Sequence, residues 1–179
     1  MPYSNSSRVS DSPLSFLEQN PSLSDFLFAD CNLGLQEAAT FIEPVLHAKK
    51  RCQTSSFYIQ AVTNGCVSFL ATNINDVREI EVTKAASHWL MGRSSICAIS
   101  IANPQLSRRH AVVGYSTEGF YITDVGSSNG TWVNGLRLVP MERQALQDGD
   151  VIRLGSVRVE FFALHLDREG YRGADATCF

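Results

Sequence analysis

Gly126-Ser127-Ser128-Asn129-Gly130-Thr131-Trp132-Val133-Asn134-Gly135 sets a short apolar run between two groups of turn formers. Thr131 to Val133 is a β-branched and aromatic run, too short for a helix and enclosed by turn formers on both sides, so it reads as a short strand. The Asn134-Gly135 pair after it favours the positive backbone angles of a tight hairpin. On either side, Phe120 to Thr123 and Val151 to Leu154 are further short apolar runs, preceded by Ala111 to Tyr115, Ala98 to Ile101 and His88 to Met91. Arg78 to Val82 and Val157 to Phe161 alternate polar with apolar residues, the period of half-buried strands. Phe57 to Val62 and Cys66 to Thr72 flank Thr63-Asn64-Gly65, a second hairpin signal. Many short strands with Gly, Ser and Asn between them predict an all-β sandwich over residues 56–165.

Residues 1–55 have a different texture and predict an acidic extension, partly disordered and partly helical. Between Met1 and Ala48 a single cation, Arg8, stands against Asp11, Glu18, Asp25, Asp30, Glu37 and Glu43. The small polar residues from Ser4 to Pro13 have nothing to bury and read as disordered. Apolar clusters around Pro21 predict brief helical turns from Leu14 to Phe28. Leu35, Ala38, Ala39, Ile42, Val45 and Leu46 follow the spacing of an amphipathic helix, which Pro44 is expected to kink or restart. Lys49, Lys50 and Arg51 suit its C-terminal end, where cations oppose the helix dipole. Residues 166–179 return to polar tail composition.

Composition excludes several classes. No apolar run reaches the roughly 18 residues of a membrane span, and the N-terminus lacks a basic start followed by an apolar stretch, so a cytoplasmic protein is expected. The five cysteines, Cys31, Cys52, Cys66, Cys97 and Cys178, form no CxxC pair and have no His at ligand spacing; reduced thiols and no metal are expected. The net charge of −3 conceals an asymmetry: Thr83 to Thr117 holds Lys84, Arg93, Arg108 and Arg109 without one Asp or Glu. Such a local positive potential concentrates anionic ligands.

Three loops carry the chemistry. Gly92-Arg93-Ser94-Ser95 follows a strand, Ser107-Arg108-Arg109-His110 precedes one, and Gly126 to Thr131 joins two more. Guanidinium forks, hydroxyls, an amide side chain and Gly-rich backbone N–H groups are the donors an oxyanion such as phosphate requires.

The order GR, SRRH, GSSNGTWVNG over about residues 66–162 resembles the forkhead-associated (FHA) domain, whose hallmark is the set of separated motifs. The resemblance implies a β-sandwich of about eleven strands whose loops at one end hold an extended phosphothreonine peptide. Carried over by position, Arg93 and Ser107 contact the phosphate, Arg108 adds a second guanidinium, Ser128 lines the site, and Asn129 hydrogen-bonds the peptide backbone. Gln105 falls where the family selects the residue three after the phosphothreonine. His110 is expected to brace the loops internally, with Gly92, Gly130, Asn134 and Gly135 serving backbone geometry; Arg109 either joins the site or faces water. Where the family commonly has Asp-Ile after GR, this chain has Ala98-Ile99, a change at a structural position. The function implied is a phosphothreonine-binding adaptor module in Ser/Thr-kinase signalling or regulated assembly, with no cofactor and no catalytic residue. Charge-assisted hydrogen bonds of about 1.5–3 kcal/mol each, set against ordering the peptide, give a micromolar complex of about −8 kcal/mol.

A nucleotide-binding loop would need Lys-Ser/Thr after Gly130 and a helix beginning there, and neither is present. No GxSxG elbow supports a hydrolase. The net acidic chain, with basic residues on loops lacking a stacking platform, argues against nucleic acid. A phosphate-independent interaction scaffold on the same fold remains the alternative, since fold does not fix function. The N-terminal extension packs on the sandwich, dimerises, docks a second partner or covers the basic loops; the sequence leaves these open.

Overall fold

The computed structural model describes residues 12–166. The expectations for residues 1–11 and for most of the C-terminal tail, residues 167–179, lie outside the described residues. The chain forms two compact units that divide between His47 and Ala48.

The first unit is helical. Ser12 caps α1 (Pro13–Gln19) by accepting from the Ser15 N–H, and α1 and α2 (Pro21–Asp25) each begin on a proline, where the missing N–H costs nothing. A π-helical turn, Phe26–Asp30, follows. The long helix α3 (Leu35–Arg51) starts where the Gly34 N–H donates to Glu37 Oε2 at 2.8 Å. It runs through Pro44 as one helix, so of the two expected outcomes, a kink or a restart, the restart does not occur. One lost hydrogen bond is outweighed because buried Ala38, Phe41, Ile42, Val45 and Ala48 continue the apolar stripe on both sides of the proline. Lys49, Lys50 and Arg51 close its last turn as expected.

The second unit consists of two sheets. One has seven strands: β1 (Tyr58–Thr63), β2 (Ser68–Thr72), β3 (Glu81–Val82), β8 (Thr131–Val133), β9 (Leu136–Arg137), β11 (Val151–Leu154) and β12 (Val157–His165), in the order β3-β2-β1-β12-β11-β8-β9. The other orders β10 (Arg143–Ala145), β7 (Gly119–Asp124), β6 (Ala111–Ser116), β4 (His88–Gly92) and β5 (Ile99–Ser100) as β10-β7-β6-β4-β5. First and last strands, β1 and β12, pair in parallel, placing Tyr58 opposite Glu160. Side chains including Ile59, Leu70, Trp89, Met91, Val113, Ile122, Ile152 and Phe161 form the main buried cluster. On the other face of β1 and β12, Tyr58 and Phe162 pack with Ala48. All ten strands read from the sequence are present. The two unread ones, β9 and β10, are edge strands with every residue exposed, so no buried alternation marks them.

The Asn134-Gly135 hairpin between β8 and β9 forms as expected, with φ of 50° and 82° at its two residues. One expectation fails: Cys66 is disulfide-bonded rather than a reduced thiol. It sits exposed on the turn between β1 and β2, and spacing along a chain does not reveal such a bond.

Candidate functional site

The three loops converge at one end of the β-sheet unit. Gly92 ends β4 against the next loop: a Cβ there would lie 2.5 Å from the Arg108 carbonyl oxygen and 2.8 Å from that of Ser107. Only glycine permits this approach. The loops are then laced together by the Arg93 N–H donating to Ser107 O (2.9 Å) and the Ser94 N–H to Arg108 O (3.2 Å). Arg93 Nε donates to Leu106 O at 3.2 Å, which fixes the plane of the guanidinium. The Cys97 thiol donates to Arg108 O at 3.2 Å. Burial raises the Cys97 pKa despite Ser94 and Arg109 nearby, which keeps the sulfur a donor.

His110 is fully buried beneath these loops. Its Nδ1 accepts from the Ser107 N–H at 3.2 Å, so Nε2 carries the proton and donates to Gly130 O at 3.0 Å. It therefore braces two loops and does not face a ligand. Across the gap, the Ser128 N–H donates to Ser107 Oγ at 3.0 Å.

Asp124 supports the third loop from below. Its Oδ1 accepts from the N–H groups of Gly126 and Ser127, and its Oδ2 from the Ser127 and Thr131 hydroxyls at 2.6 and 2.7 Å. Burial by itself raises the pKa of this carboxyl, but the donors from Ser127, Thr131 and Gly126 prevail and hold it below the usual range. The Ser127 hydroxyl in turn accepts from the Gly130 N–H. Sequence reasoning did not assign this role to Asp124, although an Asp two residues before a Gly-Ser pair is a turn signal.

The result is an open cleft of about 600 Å³ lined by Arg93, Ser94, Ile96, Ser107, Arg108, Arg109 and Ser128. Three guanidinium groups and three hydroxyls share it, and no carboxylate does. Arg109 thus lies on the cleft rather than apart from it. Of the predicted residues, Arg93, Ser107, Arg108 and Ser128 are brought together here. Asn129 and Gln105 are not among the lining residues; Asn129 Nδ2 donates to Gln105 O at 2.7 Å. Asn134 bonds Asp150 and the Val151 N–H, a structural task. A second hollow of about 560 Å³ opens beside the edge strands β9 and β10, with Arg137, Arg143, Glu142 and Asp150 among its lining residues and no ion pair between them. The described residues contain no cluster of three or more metal-ligating side chains, and no helix among them is long and apolar enough to cross a membrane.

Residues 89–155 match the family model described as FHA domain. Protein FraH of Nostoc sp. is 49% identical over 90 residues, a stretch covering 46% of this chain and 31% of FraH. Human kanadaptin is 34% identical over 83 residues, covering 40% of this chain and 11% of its own length. This chain therefore spans under a third of either relative. Among solved structures, the N-terminal FHA domain of S. cerevisiae Rad53p in complex with a phosphothreonine peptide aligns at 30% identity, covering 38% of this chain and 56% of that one, with a TM-score of 0.36.

Proposed function

We propose that the FHA domain in residues 89–155 binds a phosphothreonine-containing segment of a partner protein, and so acts as an adaptor in Ser/Thr-kinase-dependent signalling or regulated assembly. The observation that carries this reading is the acid-free cleft, in which Arg93, Arg108, Arg109, Ser107 and Ser128 share one surface. A phosphothreonine brings close to two negative charges and three acceptor oxygens. Arg93, its Nε held by Leu106 O, offers its terminal amino groups, and the Ser107 hydroxyl donates beside it. The braced loops incur little reordering on binding, which favours affinity. Asn129 holds the peptide backbone through the amide functions that Gln105 O leaves unused. Nothing in this arrangement supplies a nucleophile with an adjacent base, and binding rather than catalysis is the role it fits.

The test is an oriented phosphopeptide library screened against the wild-type chain and Arg93→Ala. Selection of phosphothreonine peptides, lost in the variant, is expected. Retention of partner peptides by Arg93→Ala would refute phosphate recognition and favour a phosphate-independent scaffold.

A further inference from the structure

The outer face of the seven-stranded sheet carries a row of side chains separate from the cleft. Arg137, Trp132, Arg153 and Arg158 occupy directly opposed positions on β9, β8, β11 and β12. Their strand neighbours Val133, Ile152, Leu154 and Val159 point into the main core, so alternation puts these four on the opposite face. Arg137 and Arg158 are exposed, while Trp132 and Arg153 are half-buried. The Arg153 guanidinium lies 3.4 Å from the Trp132 ring centroid and that of Arg137 5.4 Å from it.

Three like charges in one row are costly for the sheet alone, since directly opposed cations such as Arg153 and Arg158 repel. No carboxylate relieves them: among the described residues the sole ion pair is Arg51 with Asp148. Glu160, next along β12, is directed at the N–H groups of Gln53, Thr54 and Ser55. Asp150 accepts from Asn134 Nδ2 and the Gln147 N–H. Glu142 lines the hollow beside Arg137 without pairing with it.

We infer that this row is a docking strip for an acidic segment of a partner protein. Four adjacent strands span roughly 14 Å, the reach of four to five extended residues, so carboxylates at alternate positions of one extended segment meet successive guanidinium groups. Planar guanidinium forks pair well with carboxylates, and stacking on Trp132 limits the freedom Arg153 has to lose. Nucleic acid fits less well, because the one aromatic face in the row is already covered by Arg153 and is not open to a base. Arg137 also packs over Gly130 of the cleft loop, so the strip starts at the edge of the cleft. It does not depend on the phosphothreonine reading.

The experiment titrates the isotope-labelled full chain with a six-residue peptide of alternating Glu and Gly, its ends blocked, and follows the tryptophan indole N–H signals by NMR. The Trp132 signal is expected to move saturably while that of buried Trp89 stays fixed, and the Gln-for-Glu peptide is expected to do nothing. Arg137→Gln with Arg158→Gln should weaken binding by about five-fold or more, and the corresponding double Lys variant by less. Arg93→Ala should bind this peptide as the wild type does. The proposal is overturned if Trp132 does not respond, if the double Gln variant binds unchanged, if Arg93→Ala abolishes the shifts, or if hexathymidylate moves Trp132 at lower concentration than the peptide.

Discussion

Two buried carboxylates stand at opposite extremes of sequence range. Asp124 and Glu160 are 1% and 4% exposed, and each is satisfied by N–H and hydroxyl donors instead of a cation. Asp124 gathers donors from two to seven residues away and shapes the loop that bears Ser128. Glu160 gathers the N–H groups of Gln53, Thr54 and Ser55, more than a hundred residues away, and ties that segment to β12. The same chemistry therefore serves a loop of the cleft in one place and chain closure in the other. Affinity and stability should be coupled at Asp124 and separable at Glu160.

Glu160→Ala carries the largest expected effect. It strands three part-buried N–H groups and a hydroxyl around a buried carboxylate site, at about 1–3 kcal/mol for each group that water does not reach, so a loss on the order of 3–5 kcal/mol is expected by urea unfolding. Folded Glu160→Ala should still bind the phosphopeptide as wild type does. A large loss of affinity in the folded fraction would break the proposed separation. Asp124→Ala is next, at about 2–4 kcal/mol of stability, because two backbone N–H groups and two hydroxyls lose their acceptor. Here phosphopeptide affinity, measured by calorimetry, should fall as well, by about ten-fold or more, because the loop carrying Ser128 loses its support.

The same contrast explains what the sequence disclosed. The short strands and the Asn134-Gly135 hairpin were legible because alternation and turn chemistry are local. The pairing of β1 with β12 was not, since nothing local joins Tyr58 to Glu160 across the whole domain. The cleft was legible through resemblance to separated motifs and through the acid-free segment, which together named Arg93, Ser107, Arg108 and Ser128. What escaped was the support beneath it: Asp124 under its loop, the Leu106 carbonyl orienting Arg93, and the placement of Arg109 on the cleft. Each depends on which loop lies against which. The engagement of Asn129 with Gln105 O likewise depends on two loops meeting in space.

Substitutions inside the cleft should behave in the reverse manner to Glu160→Ala. Arg93→Ala removes an exposed side chain whose one internal bond is to Leu106 O, so stability should change by less than about 1 kcal/mol. Phosphopeptide affinity should drop by about 30- to 100-fold, the equivalent of one or two charge-assisted hydrogen bonds. Ser107→Ala should cost about five- to ten-fold in affinity and a few tenths of a kcal/mol in stability, since its hydroxyl also accepts from the Ser128 N–H. If Ser107→Ala unfolds the loop end, as judged by loss of the buried His110 environment in NMR, the hydroxyl is a brace first and a ligand second.

The mildest test is pH, because near neutrality both carboxylates are fully ionised. Burial raises the pKa of each, but the surrounding donors prevail and leave both below the ordinary carboxylate range. A depressed folded pKa means the unfolded chain binds protons first on acidification. The stabilisation is complete above the ordinary Asp and Glu values, declines as pH falls below them, and is lost on passing through the folded values. Glu160→Gln and Asp124→Asn should each lower stability at neutral pH and flatten its fall in acid. They should differ in which amides lose exchange protection first: those of Thr54 and Ser55 in Glu160→Gln, those of Gly126 and Ser127 in Asp124→Asn. Simultaneous loss at both places in either variant would mean that the loop end and the β12 edge open as one cooperative unit, and that the difference between them lies in sequence range alone.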